Sequence, residues 1–147
     1  MSYEIVNPVE LGAPRGWNNG MLAPEAGRVL FVAGQIGVRG GRTLAAQFQA
    51  ALANVTRVVE EAGGRVADVG RLTIYVTDMK AYRESPAEVG AAYRSVFGKH
   101  FPAMALVAVT ELVDPRAVVE VEATAVIPQA RPGGDSNIES PTAKELP

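Results

Sequence analysis

Apolar positions follow two alternating spacings along residues 29–127, and each spacing predicts a different element. Val29 to Gln35 is a short apolar run closed by glycine, which is typical of a strand ending in a turn. Between Thr43 and Ala62, apolar side chains recur every three or four residues. This predicts an amphipathic helix of about five turns, ended by Gly63–Gly64. Val69 to Thr77 alternates β-branched, aromatic and polar residues and predicts a second strand.

The second half of the chain predicts one more helix and two more strands. Helix-start signals occur at Thr77–Asp78 and again at Ser85–Glu88, where the pattern is that of a capping box with proline at the first helical position. We expect this helix to run to about Phe97. Ala103 to Val109 and Ala117 to Ile127 are the further strands. The order of elements predicts an α+β domain.

The number of helices limits how the sheet can be covered. With a short hairpin partner near Tyr3 to Val6, the sheet would have five or six strands, and two helices cannot cover both of its faces. The helices are therefore predicted to pack on one face. The last strand is too apolar to face water on both sides, which favours an oligomer that covers part of the open face. A soluble monomer with a polar open face is the alternative.

Composition and length narrow the class of protein. The chain has 147 residues, which fits one domain. From Pro128 onward, proline and glycine are frequent and large aliphatic residues are rare. We therefore interpret residues 1–127 as one domain and 128–147 as a tail outside the core. There is neither an apolar run long enough for a membrane span nor a secretory signal, so a cytoplasmic protein without a membrane partner is expected.

Charge and missing residue types exclude several chemistries. Cysteine is absent, which removes disulfides, thiol catalysis and most structural zinc sites, and we expect neither a metal nor a cofactor. The net charge is −2 and the arginines are scattered without interleaved aromatic residues, so a nucleic-acid partner is not indicated. His100, the only histidine, follows a predicted helix end without an evident nucleophile. A structural role is favoured there over catalysis.

Three local patterns could carry chemistry, and each has a simpler interpretation. Glu120 and Glu122 project from one strand face, where they could position a water or act as a general base, or simply keep the face solvated. The Gly34 to Gly41 turn could cradle an anion, but its spacing is not that of a nucleotide-binding motif, and an ordinary turn is favoured. Trp17, in a glycine- and asparagine-rich loop, either lines a pocket or an interface, or packs against its own loop.

Four segments in register resemble the RidA family, also called YjgF, of reactive-intermediate or 2-imino acid deaminases. They are FVAGQI (Phe31 to Ile36), VTDM (Val76 to Met79), FPAMALV (Phe101 to Val107) and VEVEATA (Val119 to Ala125). The resemblance covers about residues 5–127. It implies a chorismate-mutase-like mixed sheet packed on one face by two helices. It also implies a homotrimer with a central barrel and clefts between neighbours, which hydrolyses an imine to ammonia and a 2-keto acid.

The resemblance also implies roles for individual residues. Glu120 matches a glutamate that holds the attacking water, and Gly34–Gln35 matches a turn whose backbone assists. Trp17 stands where the family often has a pocket tyrosine, and Gly90 stands where a helix often has an asparagine. The family's deaminases bind the substrate carboxylate through an arginine that follows Pro-Ala. Here that position is Met104.

Met104 changes the expected ligand. A hydrogen bond between charged groups contributes about 1.5–3 kcal/mol, and a thioether cannot make one, which argues against deamination of 2-imino acids. Arg116 or Arg94 could supply the missing cation from another direction. Alternatively, Met104 and Leu106 form an apolar wall for a neutral imine, enamine or carbonyl compound, and this second interpretation is favoured.

The leading hypothesis is therefore a homotrimer with a small-molecule site in the cleft between subunits. Trp17, Gly34, Gln35, Met104 and Glu120 would form the cleft, with Glu120 positioning water to hydrolyse a C=N or related bond of a mostly uncharged metabolite. A non-catalytic, ligand-binding or regulatory trimer is the first alternative. A translation-inhibiting endoribonuclease, as some relatives are labelled, is the second, and the acidic chain with its single histidine disfavours it.

Overall fold

Strands and helices alternate through residues 3–129, which are the residues described by the computed structural model. In chain order the strands are β1 (Glu4–Val6), β2 (Gly20–Leu22), β3 (Arg28–Ile36), β4 (Val69–Val76), β5 (Ala103–Ala108) and β6 (Val119–Ile127). The α-helices are α1 (Leu44–Glu61), α2 (Met79–Glu84) and α3 (Pro86–Phe97). The predicted tail, apart from its first two residues, lies outside the described part of the chain.

The main sheet has four strands in the order β3-β6-β4-β5. β6 is antiparallel to both of its neighbours, whereas β4 and β5 are parallel, so the sheet is mixed as predicted. The prediction of five or six strands is wrong, because β1 pairs with β2 in a separate two-stranded sheet. β2 was not predicted, since its three residues, Gly-Met-Leu, are too few to show an alternation.

Helix α1 forms where the apolar spacing predicts it. The Thr43 hydroxyl accepts a hydrogen bond from Ala46 N at 3.2 Å and so satisfies one of the free amides at the helix start. The apolar stripe is buried at Phe48, Leu52 and Val55. Its burial against the sheet stabilises the helix more than local propensity does.

The second predicted helix is two helices, and the predicted capping box is wrong. Asp78 caps α2 by accepting from Ala81 N at 3.0 Å. Ser85 instead donates its hydroxyl to Ala81 O at 2.6 Å and makes no side-chain cap for α3. Pro86 explains the break, because the residue before a proline is disfavoured in the helical conformation.

The helices pack on one face of the sheet, as the pattern of β6 predicts. Val119 and Val121 are fully buried against the helices, whereas Glu120 and Glu122 point to the other face and are half-buried. The core residues come from α1, α3 and the central strands, and include Val32, Phe48, Leu52, Val55, Leu72, Ile74, Phe97 and Val121. We call the side away from the helices the open face. No helix within residues 3–129 has the length and apolar character to cross a membrane.

Candidate functional site

The open face holds Glu120 directly against the Gly34 turn. The pairing of β3 with β6 shifts between Val32 and Gln35, so that Gly34 lies in an irregularity of the strand. A Cβ atom at position 34 would collide with Glu120 Oε1, which means that only glycine lets the carboxylate lie there. Gln35 folds back and donates to Ala33 O at 2.9 Å. The turn and the glutamate are therefore brought together, as the sequence predicts.

Tyr75 distinguishes the two glutamates of the open face. It lies opposite Glu120 in the β4–β6 pairing, and its hydroxyl donates to Glu122 Oε1 at 2.8 Å. This hydrogen bond, more than burial, raises the pKa of Tyr75. Glu120 has no hydrogen-bond partner among residues 3–129, so its carboxylate is available to a water or a ligand. Tyr75 is not among the predicted site residues, although the alternation of β4 assigns it to this face.

A buried glutamine fixes the start of β6. Gln47 on α1 is 2% exposed, donates to Arg116 O at 3.0 Å and accepts from Val118 N at 2.9 Å. These two bonds tie the segment before Glu120 to the helix. A buried side chain with satisfied polar atoms holds its neighbours in one arrangement, so Gln47 is a positioning residue for the strand that carries Glu120.

On the helix side of the sheet, Met104 and Leu106 line a cavity of about 700 Å³. They pair in register with Leu72 and Ile74 of β4, both of which are buried in the core. The wall of the cavity is largely apolar and includes four aromatic residues besides Trp17, namely Phe48, Tyr82, Tyr93 and Phe101. The predicted apolar wall at Met104 and Leu106 is therefore present.

Trp17 lines the same cavity because its loop is tied to the start of β5. Asn18 N donates to Pro102 O at 3.2 Å, and its side-chain amide donates to Phe101 O at 2.6 Å. Trp17 itself is 44% exposed, so one side of the indole is open to solvent. Of the two interpretations offered by the sequence, the pocket wall agrees with this position.

Three arginines surround this cavity, and no aspartate or glutamate of the described residues lines it. Arg15 precedes the tryptophan loop, Arg83 ends α2, and Arg94 lies in the last turn of α3. None of the three forms an ion pair with another residue in the 3–129 range. Of the three, only Arg94 is among the predicted candidates, because residues this far apart along the chain give no joint signal.

Arg116 lies away from this cavity and is already paired. Its guanidinium donates to both carboxylate oxygens of Asp114, at 3.1 and 2.7 Å. The pair lowers the pKa of Asp114 to about 2, chiefly through the side-chain hydrogen bond, and raises the pKa of Arg116. Arg116 borders a different depression, together with Arg39 and Arg57. Within one chain it is not near Met104.

His100 is engaged in holding the sheet. Its Nε2 lies 2.7 Å from Val69 O, and since a carbonyl only accepts, the ring donates there. The backbone carbonyl of His100 accepts from the Tyr93 hydroxyl at 2.6 Å. The favoured structural role is consistent with these contacts. Within residues 3–129, no three acidic or histidine side chains gather in a group that could hold a metal ion.

The two groups of predicted site residues lie on opposite faces of one sheet. Glu120 belongs to the open face, whereas Met104 pairs with a core residue and faces the helices. A small ligand cannot contact both within a single chain. The predicted cleft of Trp17, Gly34, Met104 and Glu120 is therefore not formed by one chain alone.

Comparison with known proteins places this geometry in a family. The family described as Endoribonuclease L-PSP matches residues 10–127. The 2-iminobutanoate/2-iminopropanoate deaminase of Escherichia coli K12 is 36% identical over 111 residues, which cover 69% of this chain and 82% of that protein. The chain belongs to the Rid (YjgF) family. Deaminase-like activity is thereby supported at the level of the family.

Other Rid-family proteins agree in sequence and in fold. A RutC family protein of Pasteurella multocida is 32% identical over 120 residues, which cover 78% of this chain and 92% of that protein. A Rid-family protein of unknown function from Yersinia pestis superposes with a TM-score of 0.75 at 31% identity, covering 86% of this chain and all of that one. A YjgF-family member from Mycobacterium tuberculosis gives 0.60 at 35% identity, with the same coverage.

Proposed function

We propose that this Rid-family protein hydrolyses the C=N bond of a small imine or enamine at a site shared by two subunits of a homotrimer. The observation that carries the proposal is the Glu120 carboxylate, held against Gly34 and left without a partner in the described chain. A carboxylate in that condition can accept a proton from an attacking water. Glu122, bonded to Tyr75, is less available for the same task.

The separation of the two groups supports a site shared between subunits. A ligand that contacts both Glu120 and the Met104 cavity needs the glutamate from one subunit and the cavity from its neighbour. The open face supports such a contact, because Val29, Phe31 and Val107 expose 57%, 80% and 44% of their surface there. Exposed apolar groups on one face mark an interface. A cyclic arrangement would use the same contact in every subunit.

The proposed reaction is the addition of water followed by loss of ammonia. Glu120 accepts a proton as the water oxygen bonds to the imine carbon, while the C=N electron pair moves to nitrogen and takes up a proton. The C–N bond of the resulting carbinolamine then breaks, the hydroxyl loses its proton to form C=O, and ammonia leaves. One water is consumed for each imine converted to a carbonyl compound and ammonia. An enamine reaches the same path after protonation at carbon.

The apolar wall at Met104 and Leu106 limits which imines can be substrates. It offers no cation beside the reacting carbon, so a carboxylate attached to that carbon would lose its hydration without an ionic partner there. We infer that the preferred substrate has no carboxylate at that position. The ribonuclease alternative has less support, since His100 is bonded to Val69 O and the chain is slightly acidic.

Ammonia release tests the proposal directly. Imines would be generated in the assay, neutral ones by an amine oxidase and 2-imino acids by an amino-acid oxidase. We expect acceleration over the spontaneous rate for the neutral imines, and a loss of about 10²–10⁴-fold in Glu120→Gln because general-base catalysis contributes that much. Glu122→Gln, with the same charge change on the same strand, is the control and should keep most of the activity.

The outcome also separates hydrolysis from binding alone. Ammonia release that is equal in wild type and Glu120→Gln contradicts the proposal. A rise in thermal midpoint with a neutral imine analogue, but without turnover, would support the ligand-binding trimer instead.

A further inference from the structure

We propose that Arg94 binds an anionic group on the ligand, so that the Met104 cavity accepts a small organic anion with an apolar body. The inference rests on the proposed function, because it names the ligand class of the same cavity. It assigns the negative charge of the ligand to Arg94 of α3 rather than to Met104 of β5.

Gly90 makes the position of Arg94 possible. The two residues are one turn apart on α3 and therefore lie on the same side of the helix. A Cβ atom at Gly90 would be 3.0 Å from Arg94 Nη1 and 3.7 Å from its Cζ. The guanidinium thus lies over the bare backbone of Gly90, and both residues line the cavity. A Cβ at position 90 would require the guanidinium to shift by a few tenths of an ångström.

Arg94 is exposed to solvent, and no carboxylate among residues 3–129 compensates its charge. No ion pair or hydrogen bond joins its guanidinium to another of residues 3–129, in contrast to Arg116, which Asp114 holds with two bonds. Arg15 and Arg83 stand around the same cavity, and no carboxylate lines it. Positive groups of one sign around a concave, apolar wall raise the local concentration of anions.

The rest of the cavity fits an apolar body. Tyr93 and Phe101 stack with their ring centroids 5.4 Å apart, and Met104 and Leu106 continue the same apolar surface. Aromatic and thioether groups favour flat or aliphatic groups over hydrated ones. A ligand with an apolar body and one terminal anionic group satisfies both parts of the cavity, whereas a neutral ligand leaves Arg94 unpaired.

Phenylacetate and phenylacetamide form a matched pair of probes, since they differ in charge and share an apolar ring. By titration calorimetry we expect the wild type to bind phenylacetate more tightly than phenylacetamide. Arg94→Gln should weaken phenylacetate by about tenfold, the lower end for a lost charge-assisted hydrogen bond, and leave phenylacetamide within about twofold. Arg57→Gln, an exposed arginine of α1 outside this cavity, is the control and should change neither affinity.

A second variant, Gly90→Ala, distinguishes a loss of ligand binding from a loss of folding stability. Gly90→Ala should raise the thermal midpoint, because alanine is the better helix former, while its Cβ, 3.0 Å from Arg94 Nη1, shifts the guanidinium by a few tenths of an ångström. We expect phenylacetate to bind about threefold more weakly to it, despite the gain in stability. A stabilised variant with lower affinity for the anion would not be produced by a purely structural role.

Three results would overturn the inference. They are no phenylacetate binding at millimolar concentration, equal binding of phenylacetate and phenylacetamide, and a loss in Arg94→Gln no larger than in Arg57→Gln. All of these are binding measurements. The hydrolysis proposal is judged by ammonia release, so it can fail while this inference stands, and the reverse also holds.

Discussion

The two faces of the main sheet differ in what they offer a ligand. The open face presents Glu120 against a glycine turn, with Tyr75 and Glu122 bonded beside it. The helix face presents an apolar cavity whose only charged lining residues are arginines. Because the acid and the ligand cavity stand on different faces, Met104 can occupy the arginine position without disturbing the packing of the glutamate. We infer that the residue that activates water and the residues that select the ligand can change independently in this fold.

We expect the largest loss of activity from a substitution at Gly34, where the backbone lies against the Glu120 carboxylate. Gly34→Ala places a Cβ where the Glu120 carboxylate lies, so the carboxylate must move. We expect ammonia release to fall by about 100-fold, since a displacement near 1 Å costs that much in a positioned catalyst. In the double variant Gly34→Ala/Glu120→Gln, ammonia release should be little lower than in the more severe single variant, because both changes act through one carboxylate. Fully additive losses in the measured rates would contradict this link.

The next effect concerns assembly through the open face. Phe31→Ser removes a ring that is 80% exposed in one chain, so a monomer should lose no more than about 0.5 kcal/mol of folding stability. If the ring is covered by a neighbour, the association weakens by about 2 kcal/mol per subunit. Sedimentation velocity should show dissociation of Phe31→Ser at concentrations where the wild type is trimeric. Val113→Ser, also at a fully exposed position, is the matched control and should not dissociate.

A smaller effect should follow from restoring a cation on the helix face. Met104→Arg adds a guanidinium beside the proposed position of the reacting carbon, and we expect binding of 2-oxobutanoate, a 2-keto acid, to strengthen about tenfold. Met104→Leu keeps the site apolar and should leave that affinity unchanged. An equal affinity for 2-oxobutanoate in wild type and Met104→Arg, measured by calorimetry, would show that position 104 does not select against carboxylates.

The smallest effect concerns Arg116, which the structure assigns to a loop contact. The pKa of Asp114 is about 2 in the folded chain and lies below its ordinary value of 3.8, so the pair stabilises the fold above pH 3.8. That stability is lost as the pH falls through 2. We expect Asp114→Asn to flatten the decline in urea midpoint between pH 4 and pH 2 slightly. Arg116→Gln should leave the affinity for phenylacetate unchanged. A marked loss of affinity would show that Arg116 contributes to ligand binding.

The sequence predicts the elements that depend on local spacing. The stripe of α1, the alternation of β6 and the one-sided packing of the helices are confirmed, because burial imposes a period on the chain. Ser85 shows the limit of this reasoning. Its neighbours match a capping box, yet its hydroxyl bonds back to Ala81, and only the preceding helix turn makes that partner available.

The arrangement of the site depends on contacts that spacing does not encode. Met104 and Glu120 lie in different strands, and which face each takes is set by the pairing of β5 and β6 with β4. Arg15, Arg83 and Arg94 reach one cavity from three distant segments. Motif resemblance assigned Gly34 and Glu120 to one cleft, and the structure places the two side by side. The motifs give no sign that Arg94 lies over Gly90.

The central claim, that Glu120 of one subunit works with the Met104 cavity of its neighbour, is tested most directly by mixing two inactive chains. Glu120→Gln keeps the cavity, and Leu106→Trp fills it but keeps the glutamate. Co-refolded in equal amounts, they should regain roughly a quarter of wild-type ammonia release, because random cyclic trimers combine one intact half from each chain at that frequency. Activity no greater than the sum of the two separate variants would contradict the account.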